Sequence, residues 1–244
     1  MVKTLYIFHS SLIIKTEGDV FMEKVLLYYR FSVFGNFASL QSRISEIAKK
    51  IPSNFTRNLG NLQSGFVNDS FYSFTNDSSN IVLSSGRIDF SFSSEDVDLE
   101  ILKTYFDYLD LKSVTVQRIA INYAKCITDE NGEIKSRIFK KIKFFDSSES
   151  EPKDVSIREN SIFTYKQILF NDLINVESTI LQKKADFTQV PGIAISLDLN
   201  SVPTQVSSFA ISDLKDFFVY LKDRAITQMN QIMKYCNDDE KENS

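Results

Sequence analysis

Apolar and polar residues alternate with a period of two in several separated stretches and switch to a helical period in three. This pattern predicts an α+β protein, mainly antiparallel sheet with three helices. Ile88, Phe90 and Phe92 alternate with polar neighbours, and Ile193, Ile195, Leu197 and Leu199 alternate with Ala194, Ser196 and Asp198. Each reads as a strand with one wet face. Residues 24–34, with Val25, Leu26, Leu27, Tyr28, Tyr29, Phe31 and Val33, are apolar on both faces and predict a central strand. The β-formers of 3–15 read as a preceding strand, joined to it through Thr16-Glu17-Gly18-Asp19 as a hairpin. Ser85-Gly86 turns 81–84 back onto 87–92, further strands are expected at 161–170 and 173–182, and 70–74 is a candidate strand. That candidate lies in the polar stretch 53–79, part of which is expected to be mobile.

The longest expected strand spans 113–128. Val114 and Val116 point one way by parity, whereas Ile119, Ile121 and Tyr123 take the other, which predicts a β-bulge near Gln117-Arg118. Asn131-Gly132 is a strong turn signal and predicts a hairpin to a strand at 133–145, followed by a polar loop over 146–159. The three helices are expected from the Asn36 cap to Pro52 (Phe37, Leu40, Ile44, Ile47, Ile51), over 96–109, and over 212–234. The last carries Leu214, Phe218, Leu221, Ala225 and Met229 on one stripe, and the acidic end, 237–244, should fray. The element order suggests two similar β-rich halves, 1–145 and 146–236, in one continuous domain, although no sequence repeat accompanies it.

Composition adds a large core and narrows the partners. The chain has 21 Phe and 10 Tyr against 7 Gly and 4 Pro, and aromatic side chains pack well on a pleated surface. A net charge of −4 disfavours wholesale binding to nucleic acid. Cys126 and Cys236 match no metal-ligand spacing and build no disulfide scaffold, so a reducing, cytoplasmic setting is expected. His9, Ser10 and Ser11 interrupt the N-terminal apolar run, and no stretch of 18 apolar residues predicts a membrane span.

Candidate chemistry is sparse. The chain contains no phosphate-binding loop, dinucleotide fingerprint, nucleophile elbow or zinc-helix motif, and His9 is its one histidine. No catalytic residue, metal ligand or cofactor is therefore assigned. Glu95, Asp96, Asp98 and Glu100 surround a helix start, where carboxylates suit the dipole. Asp129 to Glu133 resembles the opening of a calcium loop, but Lys140 stands where the closing carboxylate belongs. Two surfaces remain. Read as a strand, 133–145 puts Lys135, Arg137, Phe139, Lys141, Lys143 and Phe145 on one face. That face is either a surface for single-stranded nucleic acid, by phosphate neutralisation and stacking, or an edge strand defended by lysines. Arg118, Asn122, Glu177 and Asp198 form a polar cluster if their strands adjoin, with a buried Arg–carboxylate pair expected within it.

Three features in order carry a resemblance. They are the strand from Val25 to Ser32 followed by a helix and Pro52, the segment Arg118-Ile119-Ala120-Ile121-Asn122-Tyr123, and Leu197-Asp198-Leu199 ahead of the last helix. Together they resemble a sporadically distributed bacterial family of conserved hypothetical proteins with an R-x-G-L-R-Y-x-N strand and a D-x-D strand before a long C-terminal helix. Ala120 replaces the family's glycine, Asn122 its second arginine and Lys125 its asparagine, and of the acidic pair Asp198 alone is present. The resemblance implies an antiparallel α+β fold of two similar halves and brings no activity. The function expected is a non-enzymatic protein-interaction protein of bacterial or phage accessory type, tied to defence or counter-defence. It would bind another protein or itself, with no membrane role. A single-stranded nucleic-acid binder and a carboxylate-dependent hydrolase are the alternatives.

Overall fold

The computed structural model describes residues 11–12, 24–64, 67–129, 131–142, 154–182, 188–203 and 208–237. The first half contains β1 (Ser11–Leu12), β2 (Lys24–Gly35), α1 (Ala38–Ser42), α2 (Ile44–Lys50), β3 (Thr56–Ser64), β4 (Val67–Thr75), β5 (Ser79–Leu83), β6 (Arg87–Phe92) and α3 (Glu100–Leu109). The second contains β7 (Val116–Thr128), α4 (Glu133–Ile142), β8 (Ser156–Tyr165), β9 (Ile168–Gln182), β10 (Gln189–Ser201) and α5 (Ile211–Asn237).

These strands make one antiparallel sheet in the order β3-β4-β5-β6-β2-β7-β10-β9-β8, with β1 paired to β2 off that path. Both halves follow the same plan outward from the central β2–β7 pair. A first strand leads to helix, a meander returns to lie beside that strand, and a closing helix follows. The joint between the two plans is the Leu111–Ser113 turn. β2 and β7 are antiparallel, with four strands beyond β2 and three beyond β7.

All the helices pack on one face of the sheet. Tyr29, Phe31 and Val33 of β2 sit opposite Tyr123, Ile121 and Ile119 of β7 and belong to a single buried cluster. Ile88, Phe90 and Phe92 from β6 and Ile195, Leu197 and Leu199 from β10 extend it. Leu102, Tyr105, Phe106 and Leu109 of α3 and Leu214, Phe218, Leu221, Ala225 and Met229 of α5 close it from above. The Phe218 ring meets Phe31 edge-on at 4.9 Å. Each fully buried Phe of this kind contributes about 2–3 kcal/mol through burial.

The mainly antiparallel sheet, the α5 stripe and the bulge agree with expectation, whereas α3 starts at Glu100 rather than 96 and the chain turns at Lys166-Gln167, inside the strand expected over 161–170. Phe34 sits opposite Arg118 and Gly35 opposite Val116, which leaves Gln117 as the extra residue of β7. A Cβ on Gly35 would collide with the Thr115 carbonyl oxygen, which is why glycine stands beside the bulge. Elsewhere the structure differs. The described residues hold five helices rather than three. The first expected helix breaks in two at Arg43 (φ −102°, ψ 18°), whose amide bonds the Leu40 carbonyl in a tight turn. The polar stretch after Pro52 forms the β3–β4 hairpin, and Tyr72 to Thr75 pair on both sides. Of the expected strand over 3–15, Ser11–Leu12 is strand; the remainder lies outside the described residues.

The largest correction is α4. Residues 133–142 are helix, not the second strand of a hairpin. The Asp129 carboxylate accepts the Ile134 amide through Oδ1 and the Lys135 amide through Oδ2, both at 2.9 Å, and satisfies two of the amides that a helix start leaves free. Ile134 and Ile138 then point together into the core. Gly132, at φ +71°, turns the chain into this helix.

Candidate binding face

The face of the sheet opposite the helices carries no helix among the described residues. Its side chains can be read across the strands in rows, since directly paired residues point the same way. One row runs Arg158, Asn175, Ser196, Ala124 and Tyr28 from β8 to β2. The next runs Leu173, Asp198, Asn122 and Arg30, then Ser91 of β6. Beyond them lie Asn171, Asn200, Ala120, Ser32 and Asp89, and finally Arg118, Phe34 and Arg87. Four arginines therefore share this face with the carboxylates Asp89, Asp198 and Glu177.

Several of these groups hold one another. Arg87 Nε donates to Asp89 Oδ1 at 2.7 Å, and the Ser32 hydroxyl, fully buried, donates to the same oxygen at 2.5 Å. The guanidiniums of Arg87 and Arg118 lie over the Phe34 ring at 5.1 and 5.2 Å from its centroid. Arg118 Nη2 donates to Asn200 Oδ1 at 2.7 Å, and Asn171 Nδ2 to the same oxygen at 3.1 Å. Asn200 Nδ2 in turn donates to Asp198 Oδ1 at 3.0 Å. Arg30 Nη2 donates to Asn122 Oδ1 at 3.1 Å and its guanidinium lies over Tyr28, while Arg30 Nε is buried with no partner. Burial pushes the Tyr28 phenol above its ordinary pKa; Arg30 pulls it part of the way back, and Asp198 and Glu177 push it up. Tyr28 is thus a neutral donor throughout the ordinary pH range.

The four residues expected to cluster do share this face, but they do not form the pair expected of them. Asn122 and Asp198 are direct neighbours in the register. Arg118 bonds Asn200 and the Ser201 carbonyl (3.1 Å) rather than a carboxylate. Glu177 stands opposite Ala194 and is exposed. The sheet's buried Arg–carboxylate pair lies on the helix side instead. Asp172 of β9 is 1% exposed, and its Oδ2 accepts Arg224 Nε at 3.0 Å, Arg224 Nη2 at 2.6 Å and Gln228 Nε2 at 2.6 Å. The parity of Phe170, Asp172, Ile174 and Val176 carries that signal, a carboxylate in an apolar row. The same alternation around Tyr28, Arg30, Ser32 and Phe34 could have marked β2 as polar on one face.

The basic–aromatic face expected from 133–145 loses its geometry in α4. Residues two apart on a helix point about 200° apart, so the alternate positions diverge. Lys135 sits in the capped first turn, and Arg137 Nη1 donates to the Cys236 carbonyl at 3.3 Å. Phe139 and Lys141 fall in the same helix; Lys143 and Phe145 lie outside the described residues, as does His9. Among the expected acidic residues, Glu95 turns away from the helix start to bond the Tyr123 hydroxyl and Lys125 Nζ, the latter at 2.6 Å. Burial pushes the Cys126 thiol up to about 12, which leaves it inert near neutral pH. Among the described residues, no group of three or more His, Cys, Asp or Glu is arranged to hold a metal, and no helix is long and apolar enough to cross a membrane. No family model and no curated protein matches this chain.

Proposed function

We propose that this chain is a non-enzymatic binding protein that takes a protein partner on the helix-free face of its sheet. The observation that carries the reading is the band Arg87, Phe34, Arg118, Arg30 and Tyr28, which crosses the central strands with cations lying over aromatic rings. Arg and Tyr supply much of the binding energy at protein interfaces, because each presents a large, rigid contact with a polar tip. Four arginines beside three carboxylates leave the face as a whole close to neutral. A polyanion such as single-stranded nucleic acid calls for an excess of cations, so a protein of mixed charge is the better complement. The kinship with the bacterial hypothetical family adds no activity to this reading.

The test compares two variants of the full chain as bait for partners from its native host. Arg87→Glu with Arg118→Glu alters the band, and Lys103→Glu with Lys234→Glu alters the exposed helix side. The band variant is expected to lose a partner that the wild type and the helix-side variant both keep. Equal retention by all three overturns the proposal, as does salt-dependent retention of an oligothymidylate by the wild type with no protein partner.

A further inference from the structure

We infer that Arg158, Asn175, Ser196 and Tyr28 line a pocket for a small zwitterion of amino-acid or dipeptide size. Its carboxylate would meet Arg158 and its ammonium would meet Asp198. The pocket follows from side-chain size along a register. Ser196 and Ala124 are small, and they lie between the long side chains Arg158 and Tyr28, so the sheet surface dips in the middle of the row. The resulting cavity is about 320 Å³, and Leu173, Asp198 and Asn122 of the next row form one wall. That volume lies at the small end of the range used by small-molecule sites.

What distinguishes this hollow from an ordinary dip is that its polar groups are uncommitted. The side chains of Arg158, Asn175, Ser196 and Tyr28 make no hydrogen bond with the other described residues, and Asp198 uses one oxygen, accepting Asn200. The remaining Asp198 oxygen, the Asn175 amide, a hydroxyl, a neutral phenol and a guanidinium therefore line one small volume. Charge selects the ligand. Arg158 stands on β8 and Asp198 on β10, two strands across and one row along, or roughly 12 Å apart at the backbone. Their side chains can close that gap onto the two termini of one small molecule. A simple anion would be repelled by Asp198 and by the nearby Glu177, and a simple cation by Arg158 and Arg30. A molecule carrying both charges satisfies each end, and the Tyr28 ring offers its body an apolar wall. The reasoning does not depend on a protein partner, and the two readings fail separately.

The experiment is a calorimetric titration of the purified full chain with glycyl-phenylalanine, its N-acetyl form and its C-terminal amide, alongside free phenylalanine. Saturable binding of at least one zwitterion is expected, with a loss of about tenfold or more when either charge is blocked. Arg158→Gln should weaken the free-carboxylate ligands and leave the amide unchanged, and Asp198→Asn should weaken the free-amine ligands and leave the N-acetyl form unchanged. Arg158 is exposed on the edge strand, so its variant keeps the fold. Should Asp198→Asn fail to fold, the blocked ligands and the Arg158 variant still decide the matter. Absence of binding at millimolar concentration overturns the inference, and so does binding that ignores both blocked charges and both variants.

Discussion

Replacing Arg224 by methionine strips the buried Asp172 carboxylate of both guanidinium bonds, 3.0 and 2.6 Å long, and leaves it one amide donor from Gln228. Asp172 is 1% exposed, so water cannot take over that role without opening the β9–α5 contact. Breaking a buried pair in this way costs about 3–5 kcal/mol, because the orphaned charge keeps its desolvation penalty. The reciprocal change, Asp172→Leu, should cost less. The Arg224 side chain is 31% exposed, its guanidinium can turn to solvent, and it still lies over Phe163 at 4.0 Å. A penalty of about 1–2 kcal/mol is expected for that variant, from the lost charged hydrogen bonds alone. The double variant should recover most of the Arg224→Met loss, since two apolar side chains of similar volume remove the charge and its partner together. Urea unfolding at pH 7 reads all three as shifts in midpoint at constant slope, and the thermodynamic cycle gives the coupling. If Arg224→Met proves no more costly than Asp172→Leu, or if the two losses simply add, the pair is not a buried, mutually dependent contact.

Two further outcomes are expected from local structure. Lys166 and Gln167 join β8 to β9 with φ of 46° and 64°, the left-handed pair that a two-residue hairpin turn requires but that neither residue favours. Gln167→Gly should therefore raise stability by roughly 0.5–1 kcal/mol in the same urea assay, the relieved strain exceeding the entropy that glycine loses on folding; a loss of stability would refute the strain. Cys126 should resist a thiol reagent at pH 8 until the protein unfolds. Its folded pKa, about 12, is raised above the ordinary 9.0, so its contribution is complete below pH 9 and is lost as pH climbs from there towards 12. Cys126→Ala should flatten the fall in stability across that window, and an unchanged slope would refute the attribution.

Much of the fold was legible because the period of side-chain direction is a local property of the chain. The stripe from Leu214 to Met229, the alternation from Ile193 to Leu199 and the parity change near Gln117 each announce their element without reference to any other segment. The same locality explains the failure at 133–142. Ile134, Ile138 and Ile142 are four apart, a spacing that stacks residues on one side of a helix and also keeps them on one side of a strand. Periodicity could not separate the two. The Asp129 carboxylate, folded back onto the Ile134 and Lys135 amides, made the choice.

The sequence alone determined that this chain is antiparallel sheet and helix around an aromatic core, and that a bulge interrupts β7. Tertiary structure alone decided which polar residues meet. Arg158 and Tyr28 end one row, and Asp172 finds Arg224, only because β8, β9, β10, β7 and β2 lie side by side in one register beneath α5. Pairing of that kind is set by burying one face of every strand at once, a cooperative condition that no single segment carries.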